Sequence, residues 1–209
     1  MPNWCSNSIA FYQEDGGSDR LAKFYADINR TYGLLRGGKP KHAESPDWAG
    51  HFLKDHGVDV ENLYTRGFLE YYEIEETHVR IDMETAWGPI PELYTEMAKV
   101  YDLKFVYCAS EPGSEVYVNT DKEGRFFADR YMLDSFSVKD LEIDKKALSQ
   151  YGEALKKIED ESQYFDSLED LLEFFADFNF GATDFAGLKE KLGELDVKIY
   201  EYEGEENAA

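Results

Sequence analysis

The chain has 209 residues, with 44 acidic and 22 basic side chains and a net charge of −22 at neutral pH. Aromatic residues make up 15% of it, enough for a hydrophobic core, which excludes disorder over most of its length. The negative charge repels phosphate groups, so we do not expect direct binding to DNA or RNA.

The start of the chain, MPNWCSN, has neither a positively charged segment nor an apolar run. We therefore expect this opening to be part of the folded body rather than a signal peptide, and no later stretch is as long as a membrane span. The two cysteines, Cys5 and Cys108, lack the spacing of a metal site. Free thiols in a reducing, cytoplasmic setting are the expectation.

Alternating apolar residues predict a strand over 7–13, and a stripe from Leu21 to Ile28 predicts a helix that begins after Ser18 and ends at Gly33. The next stretch is less regular and contains three of the four histidines.

We interpret residues 34–66 as an insertion between core elements, with a short helix over 47–56. His51 and His56 are five residues apart and so point to different faces of that helix, which disfavours a metal site shared with His42.

Apolar and polar residues alternate along 68–84, and this alternation predicts two antiparallel strands joined by a tight turn at Glu75-Glu76. In the second strand apolar residues alternate with four polar ones, so one face is expected to be buried and the other polar. The polar row is His78, Arg80, Asp82 and Glu84.

An amphipathic helix over 91–100 and a strand over 103–110 follow, and then a predicted hairpin over 115–133. The order strand, helix, strand, strand, helix, strand predicts a ferredoxin-like (βαββαβ) antiparallel sheet. We expect this α+β domain to cover residues 1–135, with the hairpin extending its sheet at one edge.

The remainder, 136–209, carries 20 acidic and 8 basic residues and is predicted to be an acidic, α-rich C-terminal region. A helix that begins after Ser167 and a second helix over 184–195 support that interpretation.

Three blocks of sequence resemble one family. They are MPNWCSN, the run Glu84-Thr85-Ala86-Trp87-Gly88-Pro89, and Glu111-Pro112-Gly113 after a strand. Together they resemble the Api-like, or YubB-type, ferredoxin-like proteins of phages and plasmids, over residues 1–133. The resemblance implies a ferredoxin-like fold and a mobile-element origin. It implies no reaction, because the family is known without an assigned function.

The rare residues of these blocks have two interpretations. They could line a binding surface at the strand ends, or they could be structural, with Trp4 covering the end of the core and asparagine amides satisfying loop backbone groups. Both interpretations stay open for Asn3, Trp4, Asn7, Trp87 and Glu111.

The polar row offers an enzymatic alternative. Asp82 and Glu84 lie two residues apart on one strand face and could hold Mg²⁺ or Mn²⁺, assisted by His78 or Arg80, in an enzyme of nucleic-acid or nucleotide metabolism. Any solvated strand face shows such alternation, and no HExxH, Walker, GxSxG or CxxC motif accompanies it. We therefore expect no catalytic residue, metal or cofactor.

The leading hypothesis is a non-enzymatic protein that binds an unknown host protein. The most specific version of this hypothesis is an acidic DNA mimic, in which carboxylates on one helix face imitate phosphates. The candidates for that acidic face are Glu169, Asp170, Glu173 and Asp177.

Overall fold

The computed structural model of the protein describes residues 2–14, 18–33 and 39–204. In these ranges the chain is a mixed α+β protein, as predicted, and it divides into two compact units. The first unit ends at Asp121 and the second begins at Lys122. Among the helices of the described ranges, none has the length and apolarity that crossing a membrane requires.

The first unit is an antiparallel sheet of five strands with helices packed on one side. Its elements are β1 (Trp4–Tyr12), α1 (Asp19–Tyr32), α2 (Gly50–Asp55), β2 (Gly67–Ile74), β3 (His78–Ala86), α3 (Pro91–Lys99), β4 (Lys104–Glu111) and β5 (Val116–Asn119). The strand order is β2-β3-β1-β4-β5, and every neighbouring pair is antiparallel.

Local sequence signals set the bounds of the main helices. Helix α1 ends because Gly33 adopts a left-handed conformation, with φ of 60°, and its N–H donates to the Asn29 carbonyl oxygen. Helix α3 begins at Pro91, whose fixed φ and missing N–H suit the first helical position. Both helices turn apolar side chains toward the sheet, as the 3.6-residue period predicts.

Strand β1 shows how the sheet separates two faces. Its odd-numbered residues, such as Ile9 and Phe11, are fully buried in the core beneath the helices. Its even-numbered residues, Trp4, Ser6 and Ser8, lie on the other side of the sheet because successive side chains of a strand alternate. We call this second side of β1, β3 and β2 the open face.

The predicted hairpin over 115–133 is wrong. Strand β5 joins the first sheet beside β4, but β6 (Tyr131–Leu133) is the central strand of a separate antiparallel sheet in the second unit. Because both edges of β6 are paired there, the boundary between the units lies at 121/122 rather than at 135/136.

The second unit is therefore more than an α-rich appendage. Besides β6, its elements are α4 (Lys145–Leu155), β7 (Gln163–Phe165), α5 (Leu168–Phe174), α6 (Phe185–Gly193) and β8 (Ile199–Glu201). Its sheet has the order β7-β6-β8, and its helices pack apolar side chains into a separate hydrophobic cluster that includes Leu133, Leu171 and Leu192.

The segment predicted as an insertion belongs in large part to the first core. Residues 34–38 lie outside the described ranges, but Phe52 and Leu53 of α2 are fully buried beside the sheet helices. The neighbouring Ala49 donates its N–H to the carbonyl oxygen of Gly67 at the start of β2. The apolar residues at helical spacing in 47–56 are the feature of the sequence that indicates this packing into the core.

The two cysteines lie on neighbouring strands but on opposite faces. Cys108 is paired with Ser8, and so it points to the open face, whereas Cys5 is fully buried in the core. Strand alternation therefore places the two thiols on opposite sides of the sheet. Both cysteines are free thiols.

The packing of α2 yields the first prediction. Phe52→Ala should lower the free energy of unfolding by about 3 kcal/mol, because it leaves a cavity in the first core. Tyr64→Ala is the matched control, since Tyr64 lies in the same segment and is 52% exposed. Urea denaturation followed by circular dichroism measures both. Equal stability of the two variants would show that α2 is peripheral.

Candidate functional site

The three blocks noted in the sequence meet at one end of the first sheet. Trp4 is paired with Ala86, and Ser6 is paired with Ser110. The backbone N–H of Trp87 donates to the carbonyl oxygen of Asn3 at 2.9 Å. The chain start, the end of β3 and the end of β4 therefore form a single structural site.

A buried amide lies at the centre of this site. Asn7 is 3% exposed, and its amide nitrogen donates to the Cys5 carbonyl oxygen at 2.6 Å and to the Thr85 hydroxyl at 2.7 Å. Its amide oxygen accepts from the Tyr94 hydroxyl at 2.9 Å. Thr85 in turn donates to the carbonyl oxygen of Gly88 at 2.7 Å. The network thus links β1, β3, α3 and the turn between the last two.

The titratable groups of this network keep their protons at neutral pH. Burial raises the pKa of the Cys5 thiol to about 12, against opposing hydrogen bonds from Thr85 and Asn7. Burial likewise raises the pKa of the Tyr94 hydroxyl. A thiol in this state is a poor nucleophile, since the thiolate is the reactive form. The chemistry of these two groups suits hydrogen bonding rather than proton transfer.

Glu111 fixes the turn that follows β4. Its side chain accepts hydrogen bonds from the N–H of Gly113 at 2.9 Å and from the N–H of Ser114 at 2.6 Å. Burial raises the pKa of this carboxyl, but hydrogen bonds from Ser114, Gly113 and Asn3 outweigh it and hold the pKa below its ordinary value. A Cβ on Gly113 would lie 2.8 Å from the side-chain amide nitrogen of Asn3 and from a carboxylate oxygen of Glu111, so a larger residue there would displace these two side chains.

The two tryptophans of the site are exposed. Trp4 is 42% and Trp87 is 55% exposed, so the interpretation in which Trp4 covers the end of the core is wrong. The reason is that β1 begins at Trp4 rather than at Asn7, which places the indole on the open face. There Trp4 meets the ring of Phe68 edge-on, with 5.7 Å between centroids, and the Arg66 guanidinium lies 5.8 Å from the indole.

Trp87 also has an unusual backbone. Its φ is 74°, in the left-handed region that disfavours bulky side chains. Such strain persists where the surrounding structure enforces it, and it is common at functional sites. Here the enforcing contacts are the hydrogen bond from Trp87 to Asn3 and the one from Thr85 to Gly88.

The polar row of β3 is arranged on the open face as its alternation predicts. Arg80 donates to Asp82 at 2.9 Å, and Ser8 donates to the same carboxylate oxygen at 2.7 Å. Glu84 accepts from Ser6 at 2.7 Å. His78, the first residue of this row, is only 8% exposed, and its Nε2 lies 3.5 Å from a carboxylate oxygen of Glu75.

The metal-binding alternative finds no support in these positions. Within residues 2–14, 18–33 and 39–204, no group of three or more histidine, cysteine, aspartate or glutamate side chains is arranged to hold a metal ion. His42 stacks on His51 with 4.0 Å between ring centroids, whereas His56 contacts Asp27 at 3.1 Å. Asp82 is paired with Arg80.

The predicted acidic face belongs to the second unit. Ser167 caps α5 as expected, since its hydroxyl accepts from the N–H of Asp170. The helix ends at Phe174, however, so Asp177 lies in the following 3₁₀ turn and the four acids do not share one helix. All four are exposed: Glu169, Asp170, Glu173 and Asp177.

Comparison with known proteins yields no relative: no protein-family model, no curated protein and no solved structure matches the chain. The resemblance to Api-like proteins therefore stays a prediction.

Sequence reasoning found the polar row and the rare residues but missed three residues that lie beside them: Tyr94, Glu70 and Phe68. Tyr94 looked like an ordinary apolar position of α3, although its hydroxyl binds Asn7. Glu70 and Phe68 looked like alternating strand residues, although they lie next to Glu84 and Trp4. An asparagine on the inward face of a strand was the signal that a buried polar partner must exist, since buried amides are hydrogen-bonded.

Glu111 gives a prediction with a defined pH dependence. Glu111→Gln should lower the free energy of unfolding at neutral pH by about 1 kcal/mol, because the N–H groups of Gly113 and Ser114 lose a charged acceptor. The folded-state pKa is lowered, so this contribution is present above the unfolded carboxyl pKa, about 4.3, and is lost as the pH falls through the folded value.

Urea denaturation of both proteins from neutral to acidic pH measures this difference. The two stability curves should converge at acidic pH. A difference in unfolding free energy between wild type and variant that stays constant from pH 7 to strongly acidic conditions would contradict the assigned role of the carboxylate.

Proposed function

We propose that the chain is a non-enzymatic protein-binding module that contacts its partner with Trp4 and Trp87 at the end of the first sheet. The observation that carries the proposal is Trp87, a large aromatic side chain that is 55% exposed on a left-handed backbone. Tryptophan is enriched among the residues that dominate the binding energy of protein interfaces.

The buried network explains why such a surface would bind well. Asn7, Thr85 and Glu111 fix the backbone on both sides of the tryptophans through hydrogen bonds. A pre-ordered surface loses less conformational entropy when a partner binds. The strain at Trp87 is unfavourable for folding alone, and a binding role gives it a physical reason.

For the partner we propose a host protein with a basic surface, of the kind that binds nucleic acid. This would make the chain an acidic DNA mimic. The net charge of −22 and the exposed acids of α5 support that class of partner.

We further propose a ferredoxin-like topology for the first unit and a mobile-element origin for the chain. The antiparallel order β2-β3-β1-β4 supports the first point, with α1 and α3 as the connecting helices and β5 as an addition at the β4 edge. The mobile-element origin depends on the resemblance of the three sequence blocks to the Api-like proteins.

Substitution of Trp87 separates binding from stability. Trp87→Gly should abolish capture of the partner from a lysate of the source cells. It should also leave the free energy of unfolding unchanged or raise it by about 1 kcal/mol, because glycine relieves the positive φ. Trp87→Ala should lose capture equally but be less stable than the glycine variant.

Ile74→Ala is the control for this experiment, since Ile74 is 42% exposed at the opposite end of β2. Its capture should equal that of the wild type. A Trp87→Gly variant that captures the same proteins as the wild type would contradict the proposed function.

The mimic form of the proposal predicts a steep dependence on salt. Binding of the captured partner should weaken by about tenfold or more between low and high ionic strength, and duplex DNA should displace the chain. A partner that binds equally at both ionic strengths and in the presence of DNA would contradict the mimic, although it would leave the tryptophan surface in place.

A further inference from the structure

The open face next to Trp4 is built in cross-strand rows. Glu84 of β3 lies between Ser6 of β1 and Phe68 of β2. Asp82, two residues earlier, lies between Ser8 and Tyr71 in the same way. Each row therefore places a carboxylate between a small hydroxyl side chain and an aromatic ring.

The carboxylates of the open face differ in whether a basic side chain forms an ion pair with them. Asp82 has an ion pair with Arg80, but in the described part of the chain neither Glu84 nor Glu70 forms one. Glu70 lies at the bulge of β2, directly after Phe68 and Leu69. Burial raises the pKa of the Glu70 carboxyl, and the negative charges of Glu84 and Asp82 raise it further.

The rings of the open face are accessible to a partner. Trp4 is 42% and Tyr71 is 38% exposed, and Phe68 is partly buried against Trp4. Aromatic faces attract cations, and carboxylates beside them strengthen the attraction. Of the basic groups near these rings, Arg66 already lies by Trp4, and Arg80 is paired with Asp82.

We propose that the open face of β1, β3 and β2 binds an extended basic segment of the partner protein, with an arginine or lysine side chain between Glu70 and Glu84 and apolar groups against Trp4 and Phe68. Charge complementarity selects this occupant. The proposal rests on the proposed function, because it names the chemistry recognised beside the tryptophans.

A synthetic peptide of alternating arginine and valine, blocked at both ends, is the probe. It should bind the full-length chain in isothermal titration calorimetry at low salt. The double variant Glu70→Gln with Glu84→Gln should bind it about tenfold or more weakly, because two unneutralised carboxylates are lost. A peptide with glutamate in place of arginine should not bind.

Glu61→Gln with Glu92→Gln is the matched control, since it makes the same change in net charge at two exposed positions outside the open face. This control should bind the basic peptide within about twofold of the wild type. Equal weakening in both double variants would overturn the proposal, because the peptide would then respond to the net charge alone. Absence of binding to the wild type would overturn it as well.

The lysate experiment distinguishes this proposal from the function on which it rests. Loss of the captured partner in both Trp87→Gly and the Glu70/Glu84 double variant supports both. Loss in Trp87→Gly with full capture by the double variant overturns the basic-segment proposal alone. Full capture by Trp87→Gly overturns the proposed function.

Discussion

The buried amide of Asn7 is the interaction on which the candidate site depends. It joins the start of β1 to β3 through Thr85 and to α3 through Tyr94, in a region where water cannot replace a lost partner. A buried amide left unsatisfied is destabilising by about 1–3 kcal/mol. The backbone around Trp4 and Trp87 is therefore fixed by hydrogen bonds of buried side chains that do not themselves reach the surface.

This arrangement divides the end of the sheet into two layers. Inside, Cys5, Asn7 and Tyr94 are uncharged hydrogen-bonding groups, and Glu111 is a charged acceptor satisfied by N–H donors. On the open face, each cross-strand row places a carboxylate of β3 between a hydroxyl of β1 and an aromatic ring of β2. The inner layer confers rigidity, and in the proposed function the outer layer supplies the groups that contact a partner; a pre-ordered binding surface requires both.

The sequence predicted what depends on local periodicity. The alternation in β3 identified its buried and polar faces, and Gly33 marked the end of α1, because both are properties of a few neighbouring residues. The pairing of strands that are distant in sequence could not be predicted from local patterns. No residue near Tyr131 indicates that its strand pairs with β7 and β8 instead of β5. The exposure of Trp4 depended on a strand that starts three residues earlier than the apolar pattern indicates.

The central claim is that the end of the first sheet and its open face form the contact surface. Hydrogen–deuterium exchange of the chain, alone and with the captured partner, tests it most directly, because backbone amides report protection segment by segment. The account predicts new protection in 3–8, 66–73 and 80–88, with little change in α4 and α6. Protection confined to the second unit, with those three segments unchanged, would contradict it.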